Sequence, residues 1–555
     1  MELLQLLGLM LICILIIRFT LLRNLTPHET EYVSACKYIA SQIQSRSDLS
    51  RKEITKIVRD TSARYCLSTL PRKLDILRYL DTSCRKLLMI KPVKTSSGVV
   101  IIAVMPKPYA CPHGRCIYCP GGIPSNTPLS YTGREPVAML AQAVGYDPYE
   151  QVRSRLSDIL ALGHDVGKVE LVIVGGTFPF MPQDYQREFV KSCFDALNRD
   201  NDKGGESVTL YEAKKINETA NIRCVGLTVE TKPDYCKEQH IDLMLELGIT
   251  RVEVGVQSLQ DDVYKVINRG HDLDDVIKSF QIARDSGFKI VAHMMPGLPN
   301  SSPEKDIQDF YTLFDNPMFR PDMLKIYPTL VLKDTPLYKL YTSGKYVAYA
   351  DDDFVNILVE VKKKVPPWVR IMRVQREIEP RDIIAGPKFG NLRQIVLRKL
   401  RDQGLRCNCI RCREIGIEGS VLIDDIVLNR TDYSAAHGSE VFLSLETPRY
   451  SKILGFLRLR KTANPHRKEL KQGTNICAIV RELHIYGPML NVGSRIEDRS
   501  FQHRGYGAQL MQEAERIASE EFGVLKLSVI SAVGTREYYK RLGYRIDGPY
   551  MSKVL

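Results

Sequence analysis

The chain has 555 residues, room for two to four domains at roughly 100–200 residues each, and its 44% apolar and 26% charged content excludes disorder along the whole chain. Lys and Arg number 78 against 65 Asp and Glu, a formal charge of +13, which favours a polyanionic partner through phosphate neutralisation. Fourteen cysteines at this length do not make a disulfide scaffold; six fall in two tight clusters, Cys111, Cys116, Cys119 and Cys407, Cys409, Cys412, which read as metal sites in a reducing compartment.

Residues 3–17 are apolar apart from Gln5, Arg18 interrupts, and 19–22 resume the run. A membrane span needs about 20 apolar residues, so this one is marginal. The absence of a basic leader and of a small-residue cleavage site argues against a secretory signal. Three readings stay open: a short anchor, a buried or interfacial helix, or an extension outside the functional protein. The placement expected is cytoplasmic, with membrane association through residues 3–22 as the variant.

Residues 30–88 have helical spacing (Tyr38, Ile39, Ile43; Ile54, Ile57, Val58) and carry Arg46, Arg51, Lys52, Lys56, Arg59, Arg64, Arg72, Lys73, Arg78, Arg85 and Lys86. Such charges form either a solvated face or a phosphate-binding surface. The run 99–105 suits a buried strand. Strands are predicted at 168–174, 224–229, 251–256, 289–293 and 323–326, and helices at 183–197, 237–247, 273–286 and 303–314. This alternation predicts an α/β fold, a parallel sheet with helices outside, closed into a full or partial barrel. A Pro-rich, charged stretch with Pro366, Pro367, Pro380 and Pro387 follows. Beyond about residue 420 the pattern becomes α+β, with strands predicted at 441–445, 453–459, 476–484 and 525–530 and a helix at 507–521.

The loop Cys111-x4-Cys116-x2-Cys119 follows a strand, where parallel folds place active sites. Three thiolates can hold three irons of a [4Fe–4S] cluster and leave the fourth iron open. The bland alternative is a zinc knuckle with His113 as its fourth ligand. The loop, with Tyr118 before its last cysteine, resembles radical S-adenosylmethionine enzymes, although their usual spacing is one residue shorter. In that family the segment matching Gly175 and Gly176 contacts the methionine amino group of the cofactor. Gln502-His503-Arg504-Gly505-Tyr506-Gly507 runs into a helix, a Q-x-x-G-x-G form found in acetyltransferases, where backbone N–H groups meet the pyrophosphate of coenzyme A.

From about residue 99 to 555 the chain resembles the catalytic subunit of Elongator and its archaeal-type, stand-alone relatives. The resemblance rests on Cys116-Ile117-Tyr118-Cys119-Pro120-Gly121-Gly122, Thr231-Lys232-Pro233-Asp234-Tyr235-Cys236, Glu253-Val254-Gly255-Val256-Gln257-Ser258, Asn268-Arg269-Gly270-His271, His293-Met294-Met295-Pro296-Gly297-Leu298-Pro299, Lys325-Ile326-Tyr327-Pro328-Thr329, Arg481-Glu482-Leu483-His484 and Gly548-Pro549-Tyr550-Met551. It implies a radical S-adenosylmethionine partial barrel followed by a GNAT acetyltransferase domain, and synthesis of 5-carboxymethyluridine at the wobble position of tRNA. A deoxyadenosyl radical would take hydrogen from the acetyl group of acetyl-CoA, the carbon radical would add to C5 of uracil, and thioester hydrolysis would leave the carboxymethyl group. The family's acetyl-CoA contacts map onto Lys168, Glu482, Leu483, His484, Ile485, Tyr506, Gly507, Ala508 and Tyr539, with Lys168 and Tyr539 in the catalytic role.

Cys407, Cys409 and Cys412 resemble the zinc linker of the archaeal-type members; Cys477 is the expected fourth ligand, with His437 and His484 as alternatives. The domains expected are 1–25 apolar, 26–90 basic and tRNA-binding, 91–395 radical, 396–418 zinc linker and 419–555 acetyltransferase. His293 is left unassigned, and Trp368, Tyr131, Tyr146 and Tyr149 are read as base-stacking or packing aromatics. Arg393, Arg398, Lys399, Arg401, Arg406, Arg411 and Arg413 extend the expected tRNA surface. An electron donor is required, and a homo-oligomer is left open. The competing reading is a protein lysine acetyltransferase with a structural iron–sulfur cluster.

Overall fold

The computed structural model describes residues 27–46, 49–81, 84–88, 98–164, 166–199, 206–415, 426–448, 452–472, 475–487 and 505–555. The apolar segment 3–22 and Gln502, His503 and Arg504 of the glycine-rich loop lie outside them. Among the described residues no helix is long and apolar enough to cross a membrane. The chain forms two compact units, residues 1–94 with 156–166, and residues 95–155 with 167–555.

The first unit holds the helices Pro27–Gln44, Arg51–Arg64, Lys73–Leu77 and Arg85–Leu88. Ser50 starts the second: its side chain accepts from Glu53 N, and Glu53 accepts from Ser50 N in return, a capping box. Ile39, Ile43, Ile54, Ile76 and Leu77 form the core, as the helical spacing requires. Lys52, Lys56, Arg59, Arg64, Arg72, Lys73 and Arg78 are exposed.

The second unit carries two seven-stranded sheets. In the first, β1 (Val100–Val104), β2 (Lys168–Ile173), β3 (Arg223–Thr231), β4 (Arg251–Gln257), β5 (Lys289–Met294), β6 (Met323–Ile326) and β7 (Arg370–Arg373) lie side by side in chain order. Every pair is parallel, and β1 does not close onto β7, so the sheet is a partial barrel. β7 falls inside the Pro-rich, charged stretch. Its four residues follow Pro366 and Pro367 instead of containing them, and only Ile371 and Met372, between two arginines, give it an apolar signature.

The second sheet is mixed: β8 (Val427–Ala435), β9 (Gly438–Thr447), β10 (Lys452–Lys461), β11 (Ala478–Ile485), β12 (Lys526–Val529), β13 (Arg545–Asp547) and β14 (Tyr550–Val554), in the order β8-β9-β10-β11-β12-β14-β13. Sequence patterning reached β9 to β12 and missed β8, β13 and β14. β8 is an edge strand whose exposed positions, apart from Val427, are polar, and β13 and β14 are too short to show alternation. The expected helix 507–521 is Tyr506–Arg516 continued by a π turn, Ile517–Glu521.

The two sheets are joined by charge. Arg481 donates to Asp322 Oδ1 at 2.6 Å and to Glu440 Oε2 at 2.8 Å. Arg460 bridges Asp285 at 2.6 Å and Glu440 at 3.0 Å, Arg284 reaches Glu440 at 3.1 Å, and Arg458 reaches Glu482 at 2.8 Å. Arg284, Asp285 and Asp322 come from the barrel; the rest come from the second domain. A bulge in β11 makes this possible: the register to β10 shifts between Arg458 and Leu459, so Arg481 has no cross-strand partner and turns into the interface. Trp368 stacks on Tyr433 at 4.2 Å and Tyr550 Oη donates to Ser286 O at 3.0 Å across the same boundary. Trp368 is thus a packing residue.

Burial opposes ionisation of Asp322, yet Arg481, Arg284 and Arg458 together hold its carboxyl far below the usual range; Glu440 and Glu482 are lowered in the same way. The stability these carboxylates contribute is present above the ordinary carboxylate pKa and is lost as pH falls below it. Asp322→Ala leaves buried guanidinium groups uncompensated and should cost about 3–5 kcal/mol in chemical denaturation at neutral pH, with the difference from the parent chain shrinking toward acid.

Candidate functional site

The cysteine loop leaves the carboxyl end of β1. Cys116 and Cys119 are buried, and Cys111 is half-buried. Cys119 Sγ accepts from Ser130 N at 3.0 Å and Cys111 Sγ faces Thr177 Oγ1 at 3.8 Å. Cys116 Sγ lies 3.1 Å from His113 Nε2 and 3.5 Å from Arg269 Nη1. Burial, with Cys116 adding to it, raises the thiols of Cys111 and Cys119, but the three sulfurs do not converge within reach of one ion as the second trio does. That wider spacing suits a multi-iron cluster better than a zinc ion, and His113 is spent on Cys116, so the zinc-knuckle alternative falls.

Gly175 and Gly176 follow β2 with φ of 114° and 77°. A Cβ on Gly175 would meet Pro128 at 3.1 Å and Met105 at 3.3 Å, so only glycine lets this turn pass under the loop. A Cβ on Gly176 would meet nothing within 4 Å, which leaves its face open to a ligand. Around the loop, Tyr118 Oη, both ring nitrogens of His271, and Gln257 Oε1 are buried without a hydrogen-bond partner. Orphaned polar atoms so close together fit a site built for a group that supplies partners. Gln257, at φ 75°, ends β4 in the left-handed region.

Below this loop the barrel interior is polar. Glu253 accepts from Lys325 and faces His293 Nε2 at 2.9 Å; Glu230 completes a group of ligand atoms within 4.8 Å. Arg373 and Tyr131 act electrostatically on the same set. β3, β4, β6 and β7 are not all neighbours in the sheet, so these side chains meet across the lumen. Glu230 Oε2 accepts from Gly175 N at 3.0 Å, which ties the set to the glycine turn. Toward the other end, Arg251 pairs with Glu170 and interacts with both Glu253 and Glu482. Sequence reasoning left His293 unassigned and did not single out Glu253, Lys325 or Arg251. Glu253, His293 and Lys325 stood in the quoted motifs and Arg251 in a predicted strand, but only the curved sheet brings them together.

The second domain meets the barrel at the amino ends of its strands. Lys168, Arg251, Lys289 and Arg370 are each the first residue of a strand. Burial pushes Lys289 down to about 8, between Glu482 and Arg251, and lowers Lys168, with Arg223 adding to it. β11 pairs with β12 only through Ala478, Ile479 and Val480; beyond Val480 the strands part, and Glu482, Leu483, His484 and Ile485 have β10 on one side alone. Leu483 and Ile485 pack on the second domain's core, while Glu482 and His484 face Lys289 and Lys168 of the barrel. The His484 ring packs against Tyr486 at 4.4 Å and Phe456 at 5.9 Å, and Lys168, 316 positions away in sequence, acts on it electrostatically.

Gly505, at φ 86°, starts the helix that carries Tyr506, Gly507 and Ala508. A Cβ on Gly507 would stand 2.7 Å from Tyr538 Oη, itself buried without a partner. Tyr539 is buried between Tyr538 and Tyr544, with centroids at 5.2 and 6.1 Å. Tyr538, missed in the sequence, is the tyrosine that faces the helix start; its neighbour packs inward.

Cys407, Cys409 and Cys412 converge within 4.8 Å, against the fully buried Lys362, whose Nζ lies 3.6 Å from Cys407 and 3.9 Å from Cys412. Cys477 is not in this group. It sits between two strands, its N donates to Leu470 O, and its thiol feels Lys526 and Asp547, not Lys362. The expectation that Cys477 is the fourth ligand is therefore corrected. The alternatives fail too: His437 lies in the β8–β9 turn, and His484 faces Lys168.

A half-barrel with a three-cysteine loop, joined to an acetyltransferase sheet with a splayed strand pair, defines a radical S-adenosylmethionine protein fused to a GNAT domain. Family models agree: Radical SAM superfamily over residues 105–314, Radical_SAM C-terminal domain over 321–402, Acetyltransferase (GNAT) family over 430–544 and ELP3 N-terminal domain over 32–96. Elongator complex protein 3 of Homo sapiens is 44% identical over 96% of this chain and 98% of its own. The tRNA uridine(34) acetyltransferase of Methanocaldococcus infernus is 44% identical over 93% and 98%. The solved archaeal Methanocaldococcus infernus Elp3 with an N-terminal deletion superposes with TM-score 0.72 at 42% identity, covering 83% of this chain and all of that one. The chain belongs to the Elongator complex protein 3 family.

Gly507→Val should push a side chain into Tyr538 and raise the Kd for acetyl-CoA about tenfold, about 1.4 kcal/mol, in isothermal titration, with the circular dichroism of the fold retained.

Proposed function

We propose that this chain forms 5-carboxymethyluridine at the wobble uridine of tRNA from S-adenosylmethionine and acetyl-CoA. One observation carries the reading. The cysteine loop lies at one end of the barrel strands and the Glu482–His484 face of the second domain lies at the other, with a continuous polar line between them: Glu482, Arg251, Glu253, His293 and Lys325, Glu230, Gly175. A strand of about six residues spans roughly 20 Å, and this polar line supports a reading in which the two chemistries act on one substrate.

Cys111, Cys116 and Cys119 would hold a [4Fe–4S] cluster, and Gly175 and Gly176 would receive the cofactor's methionine end. With S-adenosylmethionine bound, that centre supplies a carbon radical able to take hydrogen from a methyl group. The chain's own part is to deliver the acetyl group and keep water out. The open edge of β11 offers backbone groups to the pantetheine arm, and the N–H groups opening the helix at Tyr506, Gly507 and Ala508 suit the pyrophosphate. Lys168 would steady the thioester from the barrel side and Tyr539 from the second domain.

The lysine acetyltransferase reading needs a free base facing an open acceptor groove. Glu482, the carboxylate on that face, is instead bound by Arg458 and covered by the barrel's Lys289 and Arg251. This favours the tRNA reaction.

For tRNA, the exposed Arg398, Arg401 and Arg406 and the basic faces of the N-terminal helices supply phosphate contacts. Arg393, Arg411 and Arg413 are committed to Met372 O, Glu414 and Glu446, and Lys399 to Asn356. A structural zinc on Cys407, Cys409 and Cys412, an external electron donor and the five-domain division 1–25, 26–90, 91–395, 396–418 and 419–555 belong to the same proposal.

The test is nucleoside mass spectrometry of tRNA after anaerobic incubation with S-adenosylmethionine, acetyl-CoA and reductant. 5-Carboxymethyluridine should require every component and vanish in Cys116→Ala; its persistence in that variant would refute the radical reading. Binding of tRNA should weaken steeply with salt, by about 0.7–0.9 in log K per log unit of salt for each phosphate contacted. Cys409→Ser should lose the zinc found by elemental analysis of the parent chain while keeping iron at Cys111, Cys116 and Cys119.

A further inference from the structure

Three separate segments of the barrel converge on a single sulfur. Arg269, buried at 7% exposure, donates from Nη1 to Cys116 Sγ at 3.5 Å and from Nη2 to Gly255 O at 2.7 Å, so its guanidinium is fixed at both ends. His113 Nε2 stands 3.1 Å from the same sulfur. Its other nitrogen, Nδ1, is 3.0 Å from Lys232 Nζ, and Lys232, at 3% exposure, donates in turn to Asp234 Oδ2 at 3.2 Å. An ammonium can only donate, so Nδ1 must accept, and the ring proton is forced onto Nε2, aimed at Cys116. Gly270, beside Arg269, has φ +71°, and a Cβ there would lie 2.4 Å from His113 Cβ, so this packing admits only glycine. Among the described residues neither Cys111 nor Cys119 has a charged hydrogen-bond donor: Cys111 meets Thr177 Oγ1, and Cys119 meets Ser130 N, Ser130 Oγ and Pro120 O, with Arg269, Lys232 and Arg376 acting on them only at a distance.

We propose that Arg269 and the Asp234–Lys232–His113 relay are positioning residues that place positive charge and two directed N–H groups on the Cys116 thiolate, and so raise the reduction potential of the cluster this loop would hold. The inference rests on the iron–sulfur reading above. Its physical basis is general: a cluster gains negative charge on reduction, so fixed cations and N–H donors at a ligand sulfur favour the reduced form. The asymmetry gives the cluster one electronically distinct thiolate, Cys116. It also assigns work to Lys232, Asp234 and Arg269, none of which touches a carbon that reacts.

The experiment is an anaerobic redox titration of the reconstituted full chain, followed by electron paramagnetic resonance, with iron and sulfide measured on the same samples. Arg269→Met and Lys232→Met should keep the cluster and shift its midpoint to more negative potential. Arg269→Lys, which keeps a cation, should recover most of that shift. Variants with full iron and an unmoved midpoint would overturn the proposal. If Arg269→Met loses its iron, Lys232→Met decides by the same measurement; if neither retains iron, the residues are scaffolding and the proposal fails. A parent chain that takes up no cluster would instead refute the iron–sulfur reading itself.

Discussion

Four arginines and four carboxylates sealed between the two sheets are the constraint on which the rest of the molecule depends. Arg284, Arg458, Arg460 and Arg481 balance Asp285, Asp322, Glu440 and Glu482, and none of the eight could lose its partners without stranding a charge away from water. Such a network adds little net stability over a packed apolar interface. What it supplies is orientation, because the forked guanidinium groups of Arg460 and Arg481 accept their partners in one geometry only. The acetyltransferase sheet is thereby fixed on the amino-terminal rim of the barrel and does not swing as a tethered domain.

That orientation decides what the second domain can do. A freely exposed acetyltransferase sheet offers its thioester to whatever side chain approaches. Here Lys168, Lys289 and Arg251 of the barrel act electrostatically on the face bearing Glu482 and His484, so its charges are balanced by the barrel and not by an approaching acceptor. The lumen is not the apolar filling usual for a small parallel barrel. Its buried charges pair locally, Glu170 with Arg251 and Glu253 with Lys325, and the pairs repeat from rim to rim. Polarity at such depth is costly to maintain and is informative for that reason.

At the opposite rim the electrostatics are organised around a sulfur. Cys116 receives one donor, Arg269, from 153 positions away in sequence and another, His113, from its own loop, and Gly270 lets the two segments close. The two rims thus use charge differently: one to lock domains, the other to bias a redox centre.

The sequence by itself determined much of this protein. The spacing of its first cysteine trio, the glycine turn after β2 and the helix-opening Gly505 to Ala508 are local features, fixed by what a short loop can chelate or what a backbone without Cβ can approach. Six of the barrel strands were legible as apolar, β-branched runs alternating with helical ones, β1 as an unbroken run of a strand buried on both faces. Tertiary structure alone decided which distant residues met. Cys477 looked like a fourth zinc ligand because it stands beside the acetyltransferase motif, but just before β11 its thiol feels Lys526 and Asp547 instead. β7 escaped notice because four residues after two prolines cannot display a period. The action of Lys168 on His484, the lumen's charged line and the donors on Cys116 depend on sheet curvature and domain docking, which set distances across the fold that no interval along the chain encodes.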